Sequence, residues 1–153
     1  MIQNILNLVG KNSLIGNLIV SARQLNLEFN VTNSDDGKQY IASLTEIFEF
    51  GMSLRPEVGF CYLNEKEARN YTFDNQGKFI SILMEISQTM QPLCLFNHID
   101  ERQWTYVFVL MNSADIIPLF QQAKPNDYFL SNTQGQLMLA ANWHDFSYIT
   151  QSS

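Results

Sequence analysis

Apolar residues along this chain keep a helical period over much of its first ninety residues and then fall into short strand-like runs. Ile2, Ile5, Leu6 and Val9 share one helical face, and after Gly10 the spacing resumes at Leu14, Ile15, Leu18, Ile19 and Ala22, with Ser13 placed to cap. Leu25, Leu27, Phe29 and Val31 alternate with polar residues, which predicts a half-buried strand, and Asn33-Ser-Asp-Asp-Gly37 supplies a turn. Residues 39–51 fit two periods: Tyr40, Ile41, Leu44, Ile47 and Phe48 suit a helix, whereas Tyr40, Ala42, Leu44 and Phe48 also suit a strand, and helix is the preferred reading. Arg55-Pro56 interrupts, and Val58–Leu63 reads as a short strand or a packed loop. Asn64 with Glu67 has the form of a capping box opening a brief helix.

The longest periodic stretch runs from about Asn75 to Met90. Phe79, Ile82, Leu83, Ile86 and Met90 form its stripe, Asp74 is placed to cap it, and Pro92 ends it. Beyond Pro92 the period changes. Leu93–His98 and the apolar, aromatic run Trp104–Met111 flank a polar turn at Asp100-Glu-Arg102 and predict a hairpin, with the second run as a central strand. A short helix is expected after Asp115, with Pro118 in its first turn, closed by Pro125-Asn126. Tyr128–Leu130, Gln136–Ala140 and Phe146–Ile149 read as strands, the first two joined at Asn132–Gly135. These elements predict an α+β fold, with N-terminal helices packed on a predominantly antiparallel C-terminal sheet, and residues 1–153 as a single domain without repeat or linker.

Composition narrows the function classes. With 46% apolar and 16% charged residues the chain holds ample surface to bury, so disorder is not expected. Nine Lys and Arg against fifteen Asp and Glu leave a net charge of −6, which disfavours nucleic acid and anionic lipid as partners. From residue 79 onward Arg102 and Lys124 face Glu85, Asp100, Glu101, Asp115, Asp127 and Asp145, so the acidic surface is expected in the C-terminal half. The first residues lack a basic segment and polar residues interrupt them, unlike a secretory signal, and no apolar run has the length of a membrane span. Cys61 and Cys94 lack a paired spacing and read as buried free thiols of a reducing compartment, so a cytoplasmic location is expected.

Candidate chemistry is thin. His98 and His144 have no partner at a metal-ligand spacing, so no metal and no cofactor is expected. A cysteine nucleophile could combine Cys94 or Cys61 with His144 and Asp145, but both thiols sit among apolar residues with few cations nearby, and the chain is read as a non-enzyme. The seven glycines form no phosphate-binding pattern. Glu46 and Glu49, and Glu65 and Glu67, are carboxylate pairs best read as a solvated face. The C-terminal cluster mixes rings with acids: Asp127-Tyr-Phe129 and Trp143-His-Asp-Phe-Ser-Tyr148 are either sheet core or a contact surface. As a contact surface, Asp100, Glu101, Asp127 and Asp145 would steer a basic partner, and Trp143 and Tyr148 would anchor it.

The aromatic run Trp104–Met111, a short helix, and then Tyr128-Phe-Leu-Ser, Gln136-Leu-Met-Leu and Asn142-Trp-His-Asp resemble, in size, acidity and pattern, the small immunity proteins of bacterial polymorphic and contact-dependent toxin systems. The resemblance implies an acidic protein-binding inhibitor that neutralises a cognate toxin by direct binding, without identifying the toxin. The net charge of −6 and the acidic, aromatic C-terminal half point to a basic protein, with a cationic surface as on a nuclease, as the expected partner. The resemblance carries over no functional residue. Two other classes remain beside it: a secretion chaperone or adaptor, which would normally dimerise, and a small hydrolase without a local motif.

Overall fold

The computed structural model describes residues 2–52, 61–72, 74–97, 105–142 and 145–151. The N-terminal periodicity becomes two helices, α1 (Ile2–Val9) and α2 (Leu14–Gln24), separated at Gly10, whose φ of +79° turns the chain without a Cβ penalty. Ser13 caps α2 as expected, accepting a hydrogen bond from Gly16 N at 3.0 Å. The strand that follows, β1 (Phe29–Val31), is shorter than its alternation suggested. Leu25 caps α2, and Asn26 adopts the left-handed conformation that ends it.

Asn33–Gly37 is a helix start and not a turn. Asn33 accepts from Asp36 N at 2.8 Å and opens α3 (Ser34–Thr45), with Asp35 and Asp36 in the first turn, where the helix dipole favours acids. The same Asn, Ser and Asp side chains serve turns and N-caps alike, so local composition does not separate the two. The helix preferred for 39–51 holds as far as Thr45, after which β2 (Phe50–Met52) pairs antiparallel with β3 (Cys61–Leu63). Asn64 and Glu67 open no helix: Asn64 donates to Glu49 Oε1 at 3.1 Å, and the chain turns into β4 (Arg69–Thr72), a strand that the sequence pattern did not reveal.

The long helix is α4 (Gln76–Ser87), starting after Asn75 rather than Asp74. It ends before Met90, which is left-handed at φ +63° and exposed, so Met90 leaves the stripe. Next come β5 (Leu93–Phe96) and β6 (Phe108–Leu110), the expected antiparallel hairpin; of the apolar run only three residues are strand, and Trp104 lies outside the described residues. One 3-10 turn (Ser113–Asp115) leads into α5 (Ile116–Ala123) with Asp115 at the cap position, although its side chain makes no capping bond. The chain closes with β7 (Tyr128–Asn132), β8 (Leu137–Ala141) and β9 (Asp145–Thr150).

The fold is α+β, and its large sheet is antiparallel with order β1-β6-β5-β7-β8-β9-β4. Two features differ from expectation. The centre is β7 rather than the 104–111 run, and both edges, β1 and β4, come from the N-terminal half. Side chains alternate across the sheet. On one face Leu93, Leu95, Leu130, Leu139 and Phe146 pack under α1, α2, α4 and α5. On the other, Cys94, Phe96, Phe129, Met138 and Ile149 pack under α3 and the β2–β3 hairpin. The result is three layers, with the sheet common to both cores.

Close approach at Gly37 joins α3 to the sheet. A Cβ there would lie 2.2 Å from the Thr105 carbonyl oxygen. Although alanine is the better helix former by about 1 kcal/mol, we expect Gly37→Ala to destabilise the protein by roughly 1–3 kcal/mol through this clash. A urea titration followed by circular dichroism reads the sign directly, and a stabilised variant would show that α3 sits further from the sheet.

Candidate functional site

The strand register brings part of the sequence-predicted contact set to one end of the sheet. Asp127 precedes β7, Asp145 begins β9, and Asn97 and Asn142 follow β5 and β8. Asn142 is buried and serves both its neighbours: its Nδ2 donates to the Cys61 carbonyl at 3.1 Å and to Asp145 Oδ1 at 2.9 Å, while its Oδ1 accepts from Asp145 N at 2.8 Å. It thereby ties the β2–β3 hairpin to the sheet. Asp127 and Asp145 are each half-buried. Asp100, Glu101 and Trp143 lie outside the described residues, as do His98 and His144.

Tyr148 does not present itself as an anchor. It is 1% exposed, inside the core beneath α4, with the Arg69 guanidinium 5.3 Å from its ring centre. Burial raises its pKa, and the nearby Glu85 charge raises it further. Glu85 in turn lies 3.8 Å from Arg69. Tyr128, Phe129 and Phe146 are buried too, so of the two readings of the C-terminal rings the described ones follow the core reading. Alternation in β9 alone could not tell which face was covered, because helices distant in sequence supply the cover.

Asp127 also lines a polar cleft of about 210 Å³ with Asn12, Asn17, Asn97, Lys124 and Asn126. Two of its four amides are engaged within the chain: Asn17 Nδ2 donates to the Ala123 carbonyl at 2.8 Å and Asn97 Nδ2 to the Asp127 carbonyl at 3.2 Å. These bonds fix the loop after α5 against α2, which is a structural use of the polar groups.

The thiols are free and buried, as expected. Cys94 stands opposite Ser131 in the β5–β7 register, and the Tyr40 hydroxyl bridges from α3, 2.5 Å from Ser131 Oγ and 3.1 Å from the Asn132 carbonyl it donates to. Burial pushes the Cys94 thiol up to about 11, against a smaller lowering by its hydrogen bond with Tyr40. Cys61 is also raised, first by burial and then by the Asp127 charge. Both shifts oppose thiolate formation, the reverse of what an attacking cysteine needs. Among the described residues no three histidine, cysteine or carboxylate side chains come together to hold a metal ion, and no helix is long and apolar enough to cross a membrane.

Among the described residues, exposed acids also gather in the N-terminal half. On the layer formed by α3 and β2–β3, Asp35, Asp36, Glu46, Glu49 and Glu67 are exposed and Glu65 half-exposed, with Lys38 and Lys66 as the described cations. Several converge where α3 ends. Glu49 N donates to Glu65 Oε1 at 2.5 Å, and Asn64 holds Glu49, so two carboxylates are set side by side. On the same layer Ile47 is 38% exposed and Tyr62, on the outward face of the hairpin over Gly51, 42% exposed. The sequence showed the pairs Glu46/Glu49 and Glu65/Glu67 but not their union, because the β2–β3 register that joins them is a tertiary fact. No family model matches the chain, and the search of curated proteins returns no match.

The buried thiols generate a pH prediction. Burial pushes the Cys94 thiol from its ordinary 9.0 up to about 11, so its contribution to stability is complete below pH 9 and is lost as pH rises from 9 to 11. The slope is about 1.4 kcal/mol per pH unit for each such group. Denaturation midpoints should fall in that window. In parallel, both thiols should react with a disulfide reagent at pH 8 no faster than the protein opens; rapid reaction of either in the folded protein would contradict the burial described.

Proposed function

We propose that this protein works by binding a basic protein, as an acidic inhibitor of the immunity-protein kind that neutralises a cognate toxin by direct contact. The observation that carries the reading is the exposed surface where α3 meets the β2–β3 hairpin. There Glu65 accepts from the Glu49 N–H, and Glu46, Glu67, Tyr62 and Ile47 are exposed on the same α3 and hairpin layer. Carboxylates at the margin raise the encounter rate with a cationic partner, and a partly exposed aromatic supplies large contact area at low entropic cost. The free, buried thiols are consistent with work in a reducing compartment such as the bacterial cytoplasm. Asp127 and Asp145, at the opposite end of the sheet, form a second candidate contact; Tyr148 does not join it, being core.

Affinity capture from the native host, with the partner identified by mass spectrometry, supplies the ligand for surface plasmon resonance. Glu49→Lys and Glu65→Lys should each lower the on-rate several-fold, roughly up to tenfold, at low salt. The loss should shrink as the Debye length falls from about 10 Å at 0.1 M to about 3 Å at 1 M. Tyr62→Ala should instead raise the off-rate, costing about 2 kcal/mol. If the on-rate responds to Asp127→Lys and Asp145→Lys and not to the glutamates, the contact lies at the other end of the sheet. Indifference to salt and to all four reversals would defeat the electrostatic reading.

A further inference from the structure

The outer face of α4 carries features that the rest of the described chain does not use. Ile80 is 56% exposed and Met84 50%, one helical turn apart. Beside them a groove of about 270 Å³ opens between α4 and α5, lined by Phe79, Ile80, Leu83, Ile117, Phe120 and Gln121. Gly77, one turn before Ser81 on the outward ridge, has open space above it: a Cβ there would meet nothing within 4 Å, and its φ is not positive. The chain's own packing therefore does not require a glycine at a helical position where alanine is the better helix former. The open space leaves room for a surface that approaches α4 closely from outside.

The charges on this helix are self-complementary. Lys78 and Glu85 are both exposed and lie on the flank of α4 away from Ile80 and Met84, where Glu85, 3.8 Å from Arg69, keeps more than half of its surface open to a second cation. In an antiparallel two-fold pairing centred between Ser81 and Ile82, equal flanks meet. Lys78 of one copy then falls opposite Glu85 of the other, and Ile80 falls beside Met84. Met84, flexible and unbranched, is placed to enter the α4–α5 groove of the opposite copy. We propose that α4 is a homodimer interface, pairing antiparallel with α4 of a second copy about a two-fold axis. The acidic α3 and β2–β3 layer lies on the other side of the sheet and stays free in such a dimer, so the inference stands apart from the identity of any basic partner.

Sedimentation equilibrium of the full chain from about 1 µM to about 100 µM should show a reversible dimer. Met84→Glu, which buries a carboxylate in the groove, should raise the dimer dissociation constant about tenfold or more, and Gly77→Leu should do the same by holding the helices apart. Lys78→Glu should weaken the dimer less, and adding Glu85→Lys should recover part of the loss. Gly77, Lys78 and Met84 are exposed, so circular dichroism should report an unchanged fold for their variants, whereas Glu85→Lys also removes the ion pair with Arg69 and its folding is checked separately; if one variant fails to fold, the others still decide. A monomer throughout the range overturns the proposal, and so does a dimer unmoved by both Met84→Glu and Gly77→Leu.

Discussion

The whole structure depends on a sheet whose inner strands are apolar on both faces. β5, β7 and β8 are buried along their entire length, and a strand of that kind gains its stability only when both faces are covered. Each fully buried Leu, Ile or Phe contributes roughly 1.5–3 kcal/mol, a gain forfeited wherever a face is left wet. The chain meets the requirement with two unlike covers. Four helices lie over Leu93, Leu95, Leu130 and Leu139, and a single helix with a two-stranded hairpin lies over Cys94, Phe96, Phe129 and Met138.

Apolar cover alone does not set position, and polar contacts at the margins do so here. Tyr40 reaches from α3 to Ser131 and Asn132, and Asn142 reaches from the sheet to the Cys61 carbonyl. On the opposite face Tyr148, Glu85 and Arg69 link β9, α4 and β4. Tyr40, Asn142 and Tyr148 are buried or half-buried, and their partners come from distant parts of the chain, so loss of a partner to Tyr40 or Asn142 would leave a polar group desolvated and unsatisfied, whereas the Arg69–Glu85 pair lies exposed at the rim. The raised pKa values of Tyr40, Cys94 and Tyr148 report the same dry surroundings, in which a charge would be costly.

Two outer surfaces result, with opposite character. The α3 and hairpin side is acidic with two partly exposed apolar groups, while α4 shows an apolar strip with one Lys and one Glu along its flank. Different physics suits each: long-range attraction for a cationic protein on the first, close helix packing on the second. Of the acids from residue 79 onward, Glu85 lies on the α4 surface, Asp127 and Asp145 lie half-buried at one end of the sheet, and Asp100 and Glu101 lie outside the described residues.

How much of this was legible in the sequence follows from the range of the forces involved. Helical spacing at Leu14–Ala22 and Phe79–Ile86, the cap at Ser13, the break at Gly10 and the strands after Pro125 are local, set by period and by backbone chemistry within a few residues, and the sequence by itself determined them. So, too, did the buried character of both thiols follow from their apolar neighbours. Nothing local told Asn33–Gly37 to open a helix rather than a turn, made Arg69–Thr72 an edge strand, or sent Tyr148 inward under α4. Nor did anything local join Glu49 to Glu65. Those outcomes depend on which segment covers which face of the sheet, and a contact between residues far apart in the chain has a free energy that no short window of sequence contains.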